Sequence, residues 1–116
     1  MALALFPSDV GVAIVCHDNR DKLVSTLASL DAAGCPRGVI QVVDVLSTDG
    51  TVEWLRRDYP DIRVHTLDRN HGPSPGRNAG IRLCPFPYVF LMDADVQVQP
   101  ETIQRLRTAM AADPNI

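Results

Sequence analysis

Residues 87–95 read Pro-Tyr-Val-Phe-Leu-Met-Asp-Ala-Asp. An apolar, strand-favouring run stops on two carboxylates separated by one alanine. A run this rich in aromatic and aliphatic side chains, with Pro85 and Pro87 ahead of it, predicts a strand buried on both faces. Its polar end then falls at an edge of a sheet. If the backbone stays extended, the side chains of Asp93 and Asp95 leave the same side roughly 6 to 7 Å apart. Two hard oxygen donors placed there suit magnesium or manganese held against a diphosphate.

Upstream of this strand, short apolar runs alternate with stretches of helical periodicity, the pattern of repeated strand–helix units. Residues 10–16 form the first expected strand. A helix over residues 21–33 follows, since Leu23, Leu27 and Leu30 share a face, Asp18 or Asn19 can cap its start and Gly34 ends it. Residues 39–44 are the second strand. Ser47, Thr48 and Asp49 are cap candidates for a helix in which Val52, Leu55 and Tyr59 share a face and Pro60 stops propagation. Residues 62–67 make a shorter third strand. The Gly/Pro-rich segment 70–76 reads as a kinked loop before a helix over residues 76–83. Beyond the carboxylates, Pro100 marks the start of a last helix carrying Ile103, Leu106 and Met110 on one side.

Four strands joined by helices predict an α/β fold: a mainly parallel, Rossmann-like sheet with right-handed crossovers and helices on both faces. Ligands of such sheets sit beyond the carboxyl ends of the strands. Cys16, His17, Asp18, Asn19, Asp44, Asp93 and Asp95 all emerge at that edge.

Composition narrows the partners. Of 116 residues, 46% are hydrophobic, the balance of a globular domain able to bury a core. A formal net charge of −3, with Lys and Arg scattered, argues against nucleic acid as a partner. Cys16, Cys35 and Cys84 are odd in number and widely spaced, which fits a reducing, cytoplasmic compartment better than a disulfide framework. No stretch approaches the ~20 apolar residues that span a bilayer, so no membrane segment is expected in this chain. His17, His65 and His71 are not spaced as a metal set.

Four co-linear segments resemble the family 2 glycosyltransferases, which have the glycosyltransferase-A fold. Val12 to Arg20 is similar to that family's opening strand and Asn-Arg turn. Val-Asp-Val-Leu-Ser-Thr-Asp-Gly-Thr at residues 43–51 is similar to its Val-Asp-Asp-Gly-Ser-Thr-Asp-Gly-Thr segment. Asn70-His71-Gly72 through Arg77-Asn78-Ala79-Gly80 is similar to its Asn-x-Gly…Arg-Asn-x-Gly stretch, and Asp93-Ala94-Asp95 to its Asp-x-Asp motif. The resemblance implies transfer of a sugar, with inversion, from a nucleoside-diphosphate sugar donor to an unspecified glycan, lipid or small-molecule acceptor.

The residue roles follow from the same resemblance. Asp95 would bind Mn2+ or Mg2+, Asp93 would contact the metal or ribose, and Asp44 would sit by base and ribose. Arg77, at a helix start, would approach the phosphates. Cys16 stands where the family carries a hydroxyl near the base, and Val45 and Leu46 replace the family's Asp-Gly. The resemblance also implies that residues 1–116 are one partial nucleotide-sugar-binding domain. The acceptor half and the catalytic base would then lie outside this chain, at the inner face of the membrane in a longer protein. Two other readings stay open at this point. One is a non-catalytic or degenerate nucleotide-sugar-binding module. The other is a haloacid-dehalogenase-like phosphatase, which also ends an apolar strand with Asp-x-Asp and uses the first carboxylate as nucleophile.

Overall fold

A computed structural model of the chain describes residues 5–69, 73–113 and 115. Four parallel strands form one sheet in the order β3-β2-β1-β4. They are β1 (Val10–Cys16), β2 (Ile40–Val45), β3 (Arg63–Leu67) and β4 (Tyr88–Asp93). Helices α1 (Arg20–Ala32), α2 (Thr51–Asp58), α3 (Pro73–Leu83) and α4 (Thr102–Ala112) complete the α/β architecture, with a 3-10 turn, Arg37–Val39, leading into β2.

Period-two alternation along the central strands sorts the helices onto two faces. Val10, Val12, Ile14 and Cys16 of β1 join Ile40 and Val42 of β2 in a core with Leu23, Leu27 and Leu30 of α1, Trp54 and Leu55 of α2, and Ile103 of α4. The intervening residues face α3. A Cβ on Gly80 would stand 3.1 Å from Ala13 Cβ, and one on Gly76 would stand 2.7 Å from Val15 Cγ1 and 3.2 Å from Val45 Cγ2. Helix α3 therefore lies against β1 and β2 at a distance that excludes a larger residue at Gly76 and leaves little room at Gly80. Gln41, a buried polar residue in the middle of β2, completes this contact by donating to the Gly80 carbonyl at 2.6 Å while its own carbonyl oxygen lies 3.3 Å from His65 Nε2.

Several expectations change. β4 is not buried on both faces: Tyr88 is exposed, Val89 to Leu91 are partly buried, and only Met92 is fully covered. It lies beside β1 at one end of the described sheet, with α3 centred over β1 and β2, so it shares only part of their cover. α3 begins at Pro73 rather than residue 76. Pro75 is accommodated because N–H groups of a first helical turn have no intrahelical acceptor to lose. Residues 70–72 of the expected loop, with His71, lie outside the described residues. Gly50, at φ +82°, occupies the position before α2, and Asp49 just ahead of it accepts the N–H of Thr51, the helix's first residue, at 3.1 Å. Leu106 on α4 is exposed, whereas Ile103 is buried.

Helix α4 is tied to the opposite end of the sheet. Arg107 makes a two-pronged ion pair with Asp9 at 2.8 to 3.1 Å and stacks over the Tyr88 ring at 4.4 Å. These contacts hold α4 at the amino-terminal edge, and ligands of parallel sheets sit at the opposite, carboxyl edge.

Candidate functional site

The carboxyl ends of β1, β2 and β4 lie side by side, with Cys16 in register with Asp44 and Val15 with Asp93. Neighbouring residues on β1 point to opposite faces, and so do their partners. Cys16 and Asp44 belong to the face of α1 and α2. Asp93 belongs to the face of α3, where Arg77 in the helix's first two turns places its Nη2 3.3 and 3.1 Å from the two carboxylate oxygens. The close seating of Gly76 against Val15 and Val45 sets the height of Arg77 above the strand ends.

β4 ends at Asp93. The Val96 N–H donates to the Asp93 carbonyl at 3.1 Å, closing a turn with Ala94 and Asp95 at its centre. The extended spacing foreseen for the acidic pair is replaced by this turn. Ala94 is buried and its N–H continues the ladder to Val15 at 3.1 Å, while Asp95 projects into solvent. The pair is open rather than hidden under packed side chains.

Asp44 differs. It is 2% exposed; it accepts from the Cys16 thiol at 3.4 Å and from the Ser47 N–H at 3.1 Å. Cys16 is equally covered, and burial together with the Asp44 charge pushes its thiol pKa far up, so it stays a neutral donor. These two residues form a floor under the loops rather than an open contact surface. Of the five residues singled out, the structure joins Arg77 to Asp93, leaves Asp95 exposed on the turn that follows, and places Cys16 and Asp44 beneath the neighbouring loops.

Those loops brace each other. Asp18, at φ +51°, receives the Thr48 N–H at 2.6 Å, and its own N–H donates to Ser47 Oγ at 2.9 Å. Asp49 accepts the Arg20 N–H at 3.2 Å, the Thr51 N–H at 3.1 Å and the Thr51 hydroxyl, joining the starts of α1 and α2. Burial raises its pKa, but these hydrogen bonds outweigh that and hold it below its ordinary value. His17 Nδ1 donates to the Val45 carbonyl. Leu46, at φ +54°, adopts the left-handed conformation at the position where the resembling family has glycine. Val45 is 4% exposed and packs beside Gly76, so its side chain is committed to the α3 contact.

Among the described residues no group of three or more His, Cys, Asp or Glu side chains forms a metal cage. Asp93 and Asp95 alone offer two hard carboxylates, a donor set that fits Mg2+ or Mn2+ sharing its coordination with phosphate oxygens. Sequence reasoning missed Thr26 of α1, whose hydroxyl reaches the acidic turn, and Ser29, which holds Val98 just beyond it. The one signal was a threonine on the apolar stripe of Leu23, Leu27 and Leu30.

Residues 11–116 match the family described as Glycosyl transferase family 2, and the chain belongs to that family. The succinoglycan biosynthesis protein ExoO of Rhizobium meliloti (strain 1021) is 30% identical over 99 residues, which cover 84% of this chain and 28% of that protein. The chain thus spans less than a third of the length of this relative. Two solved structures share the fold. S. aureus TarS 1-349 in complex with UDP superposes with a TM-score of 0.74 at 22% identity, over 90% of this chain and 32% of that one. The mannosyltransferase PcManGT from Pyrobaculum calidifontis, in complex with GDP-Man and Mn2+, does so with a TM-score of 0.71 at 23% identity, over 100% of this chain and 37% of that one. Among the described residues no helix is long and apolar enough to cross a membrane.

Proposed function

We propose that this chain is the nucleotide-sugar-binding part of an inverting glycosyltransferase that takes a sugar from a nucleoside-diphosphate donor. The observation that supports the reading is the Arg77–Asp93 pair at the carboxyl edge of the sheet, followed by the exposed Asp95, in a chain of this family. In the reaction, an acceptor hydroxyl oxygen bonds to the anomeric carbon as the bond from that carbon to the diphosphate oxygen breaks. The nucleoside diphosphate departs with the bonding electrons, and the hydroxyl proton passes to a base that we place outside these 116 residues.

The chain's own residues manage the charge of the leaving group. Asp93 and Asp95 would hold Mn2+ or Mg2+, which supplies a Lewis-acid contact to the developing charge on the diphosphate. Arg77 carries a fixed positive charge to the same corner. It can exchange one carboxylate oxygen for a phosphate oxygen without leaving its ion pair, because its planar group has several donors. Asp44 and Cys16 brace the loops from beneath, and the exposed His17, Asp18 and Leu46 of those loops would face the nucleoside. The acceptor, whether glycan, lipid or small molecule, is met by the remainder of a longer protein. The free thiols of Cys16, Cys35 and Cys84 support a cytoplasmic setting, at the inner face of the membrane if the acceptor is a lipid.

Amide shift mapping on isotope-labelled chain tests the reading. UDP and GDP, each added with Mg2+, should perturb residues 77 and 93–96 for at least one nucleotide. Shifts that avoid this corner for both nucleotides would refute the assignment. Hydrolysis of a small phosphate ester that depends on Asp93 would instead point to phosphatase chemistry.

A further inference from the structure

Thr26 lies in the middle of α1 and is fully buried. On local grounds it is a poor choice there: its branched Cβ restricts the helix, and a buried hydroxyl needs a partner. The partners lie outside the helix. The hydroxyl stands 2.8 Å from the Ala94 carbonyl oxygen and 2.7 Å from that of Val96, the two residues flanking Asp95. One hydroxyl carries one proton, so the two acceptors share it as a three-centre bond.

One turn further along α1, Ser29 donates to the Thr26 carbonyl at 2.7 Å and accepts the Val98 N–H at 3.1 Å. From the other side, β1 holds the Ala94 N–H through Val15 at 3.1 Å. The backbone of residues 94, 96 and 98 is therefore gripped by hydroxyls of α1, while Ala94 is also anchored to the sheet. Asp95 is carried on the exposed side of this clamp. A strand end cannot by itself fix a residue two positions beyond it, and a ligand displaced by about 1 Å loses much of its effect.

We propose that Thr26, assisted by Ser29, is a positioning residue that fixes the turn carrying Asp95 so that its carboxylate and that of Asp93 meet one divalent cation. This rests on the metal-binding reading above. Thr26 touches neither the cation nor the nucleotide; it acts through the Ala94 and Val96 carbonyls.

The test is a Mn2+ titration of the chain in the presence of UDP or GDP, followed by the electron paramagnetic resonance of free Mn2+, on Thr26→Val, Thr26→Ser and Asp95→Asn. Valine keeps the shape and removes the hydroxyl. It should weaken Mn2+ about tenfold, the lower end of what the loss of an outer-shell partner does at metal sites. Serine, which retains the hydroxyl, should restore affinity to near the wild-type value. Amide exchange at Val96 and Val98 should quicken in the valine variant alone. Wild-type affinity in folded Thr26→Val, with Asp95→Asn impaired, overturns the positioning role and leaves the metal reading standing. Unimpaired Asp95→Asn overturns the metal reading itself. If Thr26→Val cannot hold its fold, Ser29→Ala takes its place: weaker Mn2+ supports the clamp, and unchanged Mn2+ overturns it.

Discussion

Arg77 and Asp93 are joined across the start of α3 and the end of β4, Nη2 to Oδ2 at 3.1 Å, with both side chains nearly half exposed. Exposed pairs of this kind add at most about 1 kcal/mol to stability, so the contact is a weak explanation of the fold. A charged hydrogen bond to a phosphate is worth about 1.5 to 3 kcal/mol. We therefore predict that Arg77→Met lowers UDP or GDP affinity about tenfold while shifting the melting temperature by no more than a few degrees. A large loss of stability with unchanged nucleotide affinity would assign the pair to structure.

Gly76 sets how closely α3 sits on the sheet. A methyl group there meets Val15 at 2.7 Å and Val45 at 3.2 Å, whereas at Gly80 the nearest atoms are at 3.1 and 3.3 Å. Overpacking of this sort costs about 1 to 3 kcal/mol, set against about 1 kcal/mol gained from alanine's better helix propensity. Gly76→Ala should destabilise clearly in urea unfolding, and Gly80→Ala should come out close to neutral. The reverse order would contradict the packing described.

Leu46 holds φ +54° without a glycine's freedom and is exposed. That conformation costs an ordinary residue about 1 to 2 kcal/mol, and the added flexibility of a glycine in the unfolded chain takes back about half of that or more. Leu46→Gly is predicted to be neutral to mildly stabilising, and the branched Leu46→Val to lower the melting temperature. A stable Leu46→Val chain would show that the loop is not held in this conformation.

Asp49 gives a pH dependence. Burial raises its pKa, but the Thr51 hydroxyl and the Arg20 and Thr51 N–H groups lower it further, and the folded value lies below the ordinary 3.8. A depressed folded pKa means stability that is complete well above the unfolded value and is lost as pH falls through 3.8 toward the folded one. Asp49→Ala should cost about 1 kcal/mol at neutral pH, as loss of a helix cap does. The gap between wild type and variant should then narrow as the pH is lowered from about 5 to 3. A constant gap would place the effect elsewhere.

How much of this was legible in the sequence varied with the physics at each element. β1 runs over its expected residues because a continuous buried apolar run, bounded by Asp9 and His17, leaves little choice of ends. The start of α3 was hidden because Pro75 reads as a breaker although the first turn tolerates it. The Asp-x-Asp motif gave the right edge of the sheet. It could not show that the chain turns at Asp93, since the turn, closed locally by Val96, is held by Thr26, whose partners in the turn are distant in sequence. Asp44 was legible as a strand-end carboxylate, but not its burial: alternation along β1 and β2 puts it on the face opposite Arg77, where Cys16 and Ser47 satisfy it.

The role proposed for the open acidic turn is to hold a metal-bound diphosphate. Calorimetric titration of UDP and GDP, with Mn2+ and with chelator, into wild-type chain and Asp95→Asn tests it most directly. At least one nucleotide should bind only with Mn2+, and Asp95→Asn should abolish this binding at an unchanged melting temperature. Binding that is equal in chelator, or equal in folded Asp95→Asn, would contradict it.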